Sequence, residues 1–222
     1  MEEDAREILT RGAAETGVTL DAAGRDRFSL YAELLQLWGR KMNLTSRLET
    51  REIIITHFLD SLSAFPLLTA ARETSLIDIG SGAGFPSLPL KICLPGLSVV
   101  LVESAHKKVS FCREVIRRLD LAGATVVEGR GEDVAGREDL AGAFDWAVVR
   151  AVGEAAKMAR LSFPFLRPGG TLILYKGTPG EEELRSLKKE SARLGATFTL
   201  QPVQVPYLDA QRTLVLIRKG ST

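Results

Sequence analysis

The chain is short of cysteine, of net charge and of long apolar runs, and each shortage closes off a class of protein. Only two cysteines occur, Cys93 and Cys112, in apolar contexts and without a CxxC or histidine partner. That excludes a disulfide framework and a zinc knuckle, and leaves two small hydrophobes of a reducing compartment. No apolar stretch approaches the roughly 20 residues that cross a bilayer. The first residues, MEEDAREILT, are acidic and lack a basic region followed by an apolar core, so no secretory signal is expected there and cytoplasm is the expected location. Net charge is +1, from 29 Lys+Arg against 28 Asp+Glu. A free-standing duplex binder is usually more basic, because phosphate neutralisation drives its affinity. Any nucleic-acid partner must therefore meet a local patch, or be a structured assembly that offers other contacts. There is no GKS or GKT, hence no P-loop, and no repeat or low-complexity linker.

What is present fits one sizeable α/β domain with a modest extension. Residues 1–70 read as helical. A first helix is expected from Glu2 to about Glu15, with Gly17 as its stop. Asp21 can cap a second, in which Phe28, Tyr31, Leu34, Leu35 and Trp38 recur at helical spacing. A third, from about Thr50, carries Ile53, Ile54, Phe58 and Leu62. From Ser75 the pattern changes to short apolar runs between helices: SLIDI (75–79), SVVLVE (98–103), ATVVEG (124–129), FDWAVVR (144–150) and TLILYK (171–176). Apolar on both faces, they suit a buried parallel sheet. FTLQPVQVPY and QRTLVLIRK follow with few residues between them, which implies an antiparallel pair. The expected architecture is an open, doubly wound α/β sheet with one reversed strand, a helical extension at 1–70 and the main domain at 71–222. Ligands of such sheets sit outside the carboxyl ends of the strands.

At that end lies LIDIGSGAGFPSLPL (76–90). Gly80, Gly82 and Gly84 tolerate a left-handed backbone and let a ligand approach without an intervening Cβ. Pro86 suits the first turn of a helix, and Pro95 ends it soon after. Glu103 closes the next strand, about 20 residues beyond the glycines, where a carboxylate can accept from both hydroxyls of a ribose. Glu132 and Asp133 follow the third strand, where a side chain or the backbone can meet an adenine. A nucleoside site is the expectation. A dinucleotide fold would want GxGxxG, but the third place falls on Phe85 or Ser87, which disfavours an NAD-dependent oxidoreductase.

The order acid, apolar, GxGxG at 78–84 resembles the first motif of class I S-adenosylmethionine-dependent methyltransferases. The PGG at 168–170 and the terminal antiparallel pair look like the same fold. Methyl transfer through a pyrimidine carbon needs a cysteine nucleophile, and neither cysteine falls in a strand-end loop. Exocyclic amine methylation often uses NPPY or DPPY after strand four, where this chain reads VVRAVGE. A ring nitrogen such as guanine N7 has a free lone pair and needs no general base, only placement at roughly 3–3.5 Å.

WGRKMNLTS (38–46), HFLDSL (57–62), DIGSGAGFP (78–86), ESAHKKVSF (103–111), VVRAV (148–152), LYKG (174–177) and VPYLDAQRTLVLIRK (205–219) together resemble the small-subunit ribosomal RNA methyltransferase G family, also called glucose-inhibited division protein B. The resemblance covers nearly the whole chain. It implies methylation of guanine N7 in the 530 loop of 16S ribosomal RNA with S-adenosyl-L-methionine as cofactor. The RNA is expected within small-subunit particles, the enzyme as a monomer, without a membrane partner and without a metal. It further implies cofactor contacts at Gly80, Gly82, Gly84, Phe85, Glu103, Gly131, Glu132 and Arg150. Three departures stand out: Ser87 where members often have glycine, Glu103 for an aspartate, and Gln211-Arg212-Thr213 where some read Glu-Arg-His.

Arg150 ends strand four, where acceptor and methyl should meet, and is the one candidate for a catalytic side chain. It can orient the cofactor carboxylate or bond guanine O6, or be a structural ion pair. Asn43, His57 and Lys176 are the candidate substrate contacts. A packed histidine is the plainer account of His57, and Lys176 divides evenly between phosphate contact and solvated lysine. Asp60 shares the family-like segment with His57. Lys107, Lys108, Arg113, Arg117 and Arg118 share one helix and can form a phosphate-binding face or a solvated one. The alternative function is a non-catalytic, S-adenosylmethionine-binding ribosome assembly factor.

Overall fold

The structure is a computed structural model that describes residues 1, 3–40, 42, 44, 45, 48–69, 74–151 and 153–221. The chain opens with α1 (Glu3–Glu15) and α2 (Ala22–Gly39). Gly17 takes a left-handed φ of 85° just past α1, as a helix stop requires. Asp21 caps α2, its carboxylate accepting from the Gly24 amide at 2.6 Å. The third helical stretch differs from its expected form. It runs through α3 (Thr50–Ile53), a π-helical segment (Ile54–Leu59) and α4 (Asp60–Leu62) without a break. A short α5 (Phe65–Leu68) completes the helical part.

The remainder alternates: β1 (Ser75–Ile79), α6 (Ser87–Cys93), β2 (Ser98–Glu103), α7 (His106–Arg118), β3 (Ala124–Glu128), α8 (Gly131–Val134), β4 (Phe144–Arg150), α9 (Ala155–Ser162), β5 (Leu166–Lys176), α10 (Glu181–Arg193), β6 (Ala196–Val203) and β7 (Arg212–Lys219). The strands form one seven-stranded sheet in the order β3-β2-β1-β4-β5-β7-β6. β1 to β5 pair in parallel, and β7 runs antiparallel between β5 and β6. The fold is thus an open, doubly wound α/β sheet with one reversed strand. β5 begins at Leu166, earlier than the apolar run TLILYK indicates, because the backbone of Arg167-Pro168-Gly169-Gly170 continues the strand without an apolar signal.

Register fixes the working end of the sheet. Glu103 pairs with Glu128, Asp78 with Val148, and Arg150 with Tyr175. The carboxyl ends of β1, β2, β4 and β5 therefore present Gly80, Glu103, Arg150 and Lys176 along one edge. The sequence order reverses between β1 and β4, the position where such sheets open a crevice.

The helical part packs onto this edge. Tyr31 of α2 stacks on Phe85 at 5.5 Å between ring centroids, and lies 5.3 Å from Phe58 and 6.4 Å from Phe111. Trp38 meets Phe111 edge-on at 5.6 Å, and Phe28 meets Phe58 at 4.9 Å. Phe28, Tyr31, Phe58 and Phe111 are fully buried, each stabilising the fold by roughly 1.5–3 kcal/mol through removal of apolar area from water. One continuous core thus includes residues of α1 and α2 together with β1, β2 and α6. Within it the Tyr31 hydroxyl donates to the Ala83 carbonyl at 2.5 Å, tying α2 to the glycine turn. Tyr31→Phe leaves that carbonyl unpaired in the core, so the unfolding free energy falls by about 1–2 kcal/mol. Urea denaturation checks this as a lower midpoint at unchanged slope; an unmoved midpoint would mean that ring packing alone holds the turn.

Candidate active site

The glycine turn is built from backbone bonds to β2. The Gly80 and Ser81 amides donate to the Val102 carbonyl at 2.9 and 3.1 Å, and the Gly84 and Phe85 amides donate back to the Ser81 carbonyl. All three glycines have left-handed φ: 74° at Gly80, 59° at Gly82 and 90° at Gly84. Their surroundings separate two roles. A Cβ on Gly84 would collide with Leu88 and the Tyr31 hydroxyl, so this glycine serves close packing. A Cβ on Gly82 would meet nothing nearer than the Gly80 carbonyl at 4.0 Å, so its outer face is open.

Glu103 is brought onto this turn. One carboxylate oxygen accepts from the Gly82 amide at 2.8 Å and the other from the Ala105 amide at 2.8 Å. The side chain is buried, and the backbone bonds hold its carboxylate beside the open glycine. Its carbonyl accepts from the Gly129 amide, which draws the end of β3 to the same edge. There Gly131 packs its α-carbon against Ile79 and Leu161, and Glu132 is exposed in the first turn of α8.

Asp78 lies beneath the turn, fully buried. One oxygen accepts from the Ser87 amide at 3.3 Å; among the described residues the other has no hydrogen-bond partner, and neither do the hydroxyls of Ser81 and Ser87. Burial pushes the Asp78 carboxyl up to about 7, against the opposing pull of Ser87 and Arg150. The Cys112 thiol donates to the Gly82 carbonyl at 3.4 Å. Burial, with Asp78 and Glu103 nearby, raises its pKa far above the ordinary thiol value. It stays protonated and is no nucleophile. An open glycine face, a fixed carboxylate for a diol and an underlying acid fit a cationic nucleoside such as S-adenosylmethionine.

Beside the turn, Arg150 at the end of β4 is held by the helical part. Its Nη1 donates to Asp60 Oδ2 at 2.7 Å and to the Thr56 carbonyl at 3.1 Å. Its Nη2 donates to His57 Nδ1 at 2.8 Å. An arginine has no acceptor, so Nδ1 is the accepting nitrogen, while His57 Nε2 lies 2.8 Å from the Thr45 hydroxyl. The other Asp60 oxygen accepts from Arg212 Nε at 3.1 Å. The ring of Phe85 is sandwiched between His57 (4.7 Å, 14° between planes) and Tyr31, with the Arg150 guanidinium carbon 5.1 Å away. Phe85, expected at the cofactor, thus joins the glycine turn to the arginine cluster. The π-helical segment is what permits this grouping: Thr56 and His57 lie in it, and Asp60 follows at once.

A cleft of about 650 Å³ opens above this cluster, lined by Thr45, Thr56, His57, Asp60, Arg150, Tyr175, Lys176, Arg212 and the loop residues Leu208–Ala210 among others. That volume lies in the range of small-molecule sites and leaves ample room for a base. Lys176 reaches its wall but bonds the Gly153 carbonyl at 2.9 Å and Glu183 at 2.8 Å. Asn43, the remaining expected substrate contact, lies outside the described residues. On α7, Arg117 pairs with Glu114 at 2.8 Å while Lys107 and Arg113 are exposed. Sequence reasoning assigned no role in this site to Arg212, Thr56, Thr45 or Tyr175. For Thr45, Tyr175 and Arg212 the only signal was membership in family-like segments, and Thr56, just before one of them, had none.

Comparison with known proteins agrees with this geometry. A protein of Geobacter sp. (strain M21) named Ribosomal RNA small subunit methyltransferase G is 40% identical over 222 residues, covering 99% of this chain and 100% of the relative. One of the same name from Acetivibrio thermocellus is 37% identical over 214 residues, covering 96% and 88%. The crystal structure of Aeropyrum pernix fibrillarin in complex with natively bound S-adenosyl-L-methionine is similar with a TM-score of 0.55 at 16% identity, covering 72% of this chain and 76% of that one, a likeness of fold. The profile for rRNA small subunit methyltransferase G matches residues 25–215, and with relatives aligned over nearly its whole length, the chain belongs to that family.

Proposed function

We propose that this protein transfers a methyl group from S-adenosylmethionine to N7 of a guanine in the 530 loop of 16S ribosomal RNA, acting as a cytoplasmic monomer on small-subunit particles. Residues 1–70 serve as a helical extension that shapes the acceptor side, and 71–222 as the methyltransferase domain. The observation that carries this reading is the adjacency of two places at one end of the sheet. One is the open glycine turn fastened to Glu103; the other is the cleft beside Arg150.

S-adenosylmethionine supplies a methyl on a positively charged sulfur. Gly80 and Gly82 would face its amino-acid part, Glu103 its ribose, and Gly131 with Glu132 its adenine. Guanine N7 carries a lone pair in the ring plane, so it accepts the methyl without giving up a proton. The chain's contribution is then placement. Arg150, locked by Asp60, Thr56 and His57, is a rigid wall between the two sites and not a proton carrier.

Label from methyl-labelled cofactor is expected in small-subunit particles, at N7 of a single guanine. Failure with naked 16S RNA, assembled subunits and assembly intermediates alike would sink the proposal. Tight cofactor binding without turnover would instead favour an assembly factor. The glycine turn has its own test in Gly82→Ala. The new methyl meets open space and adds only left-handed strain of roughly 1–2 kcal/mol, so the fold persists while cofactor affinity drops about tenfold or more, one step of roughly 1.4 kcal/mol in binding. Unchanged affinity by calorimetry would remove this glycine from the site.

Asp78 sets a pH dependence. Its folded pKa of about 7 lies above the ordinary value near 4. Between those limits the native state binds more protons than the unfolded state, so stability falls as pH rises from about 4 to about 7 and is flat above. Asp78→Asn should flatten that fall and stabilise the free protein at neutral pH. A cation bound nearby favours the ionised acid, so cofactor binding near pH 6.5 should release a proton in the parent and none in the variant. Titration calorimetry in buffers of differing ionisation enthalpy measures this directly.

A further inference from the structure

We propose that Asp209 selects guanine by accepting hydrogen bonds from N1–H and the 2-amino group of the target base, an inference that rests on the guanine-N7 reading above. Among the described residues, two carboxylates line the cleft beside Arg150. Asp60 is buried and both its oxygens are taken by arginines, Arg150 at 2.7 Å and Arg212 at 3.1 Å. Asp209 is exposed at the rim, and it has no hydrogen-bond or ion-pair partner among the described residues. The cleft thus holds one carboxylate that fastens its own wall and one that is available to a ligand.

The loop that carries Asp209 is pinned on both sides. The Leu208 amide donates to the Val205 carbonyl at 3.1 Å, closing a turn just before it. Just after it, the Gln211 side chain accepts from the Thr178 hydroxyl at 3.0 Å, and Arg212 is anchored on Asp60. The backbone at 209 is therefore placed by bonds that do not use its own side chain. That is the arrangement expected of a residue kept for a partner.

The chemistry of the acceptor matches a carboxylate. Methylation uses the N7 edge of guanine, which leaves N1–H and the 2-amino group side by side on the opposite edge. Two adjacent donors suit the two oxygens of one carboxylate. Adenine presents a lone pair at N1, which faces the carboxylate without a proton between them, and a site built on N–H donors rejects a base that lacks them. The bond also gains strength during the reaction. As the N7–methyl bond forms, the purine becomes cationic and N1–H more acidic, while the proton stays on N1. A hydrogen bond to an anion is then stronger in the transition state than in the ground state, which raises kcat and not only affinity.

Small-subunit particles reconstituted on 16S RNA bearing guanosine or inosine at the target position test this, since inosine lacks only the 2-amino group. The wild-type chain should methylate guanosine particles faster than inosine particles. Asp209→Ala should lower kcat on guanosine roughly 10- to 100-fold, the scale of a bidentate base contact, and treat the two bases alike. Its S-adenosylmethionine affinity should match the wild type, which reports an intact fold. Asp209→Glu should recover part of both kcat and the preference for guanosine. A wild-type kcat in Asp209→Ala, or an undiminished preference for guanosine over inosine, overturns the proposal. Wild-type inactivity on guanosine particles is a different result, which overturns the guanine-N7 reading and this proposal with it.

Discussion

The ion pair between Arg150 and Asp60 is the contact on which the working end of the molecule depends. It joins β4 to the helical part at 2.7 Å, with side chains only 13% and 7% exposed. Partly desolvated charges are costly to hold apart, and removing one partner strands the other, typically at 3–5 kcal/mol. Here the cost is met by a full set of bonds. Asp60 has an arginine on each oxygen, and Arg150 adds the Thr56 carbonyl and His57. Because Arg212 belongs to β7, the same aspartate fastens the reversed strand as well. The helical part is therefore a wall of the cleft, fixed to the sheet at the point where the acceptor would lie.

The glycine turn is secured in a different way, by ring packing and hydrogen bonds around it and an awkward acid below. Tyr31 and Phe85 hold it from the helical side, and Glu103 holds it from β2. Asp78 sits under it with one oxygen unpaired among the described residues. Replacing that acid by an apolar residue would relieve its desolvation, so the residue is retained at a cost to the free protein. A cation bound above the turn offsets that cost. The destabilised acid and the cationic cofactor are thus two sides of one electrostatic arrangement.

Most of the fold was legible in the sequence because its signals are local. SLIDI, SVVLVE and FDWAVVR form strands over just those residues, since strands buried on both faces read as unbroken apolar runs. β5 was read short because its first residues, Leu166–Gly170, contain proline and glycines, which look like loop. The π-helical segment was invisible: six residues are too few to show a change of period, and Ile53, Ile54 and Phe58 read equally well as an α-helical stripe. The closeness of the glycine turn and Glu103 was legible because their spacing is set by one strand–turn–helix–strand unit, and the Gly82 amide does donate to Glu103. The cluster around Arg150 was not. Arg150 meets Asp60 across 90 residues and Arg212 meets it across 152, and no local pattern announces such pairs.

The charge balance of the cleft bears on the reaction it can support. Methylation of a ring nitrogen ends on a cationic base, which two free arginines would repel. Arg150 and Arg212 share Asp60, and Lys176 is matched by Glu183. Among the described residues Asp209 then supplies a further negative charge in the lining, so Arg150, Arg212 and Lys176 are set against Asp60, Asp209 and the neighbouring Glu183. In such a cleft, a developing positive charge on the base is not opposed by net charge of the same sign. That balance removes the main electrostatic objection to a ring nitrogen being methylated within reach of an arginine, and since such a nitrogen loses no proton, the reaction asks no general base of the cleft.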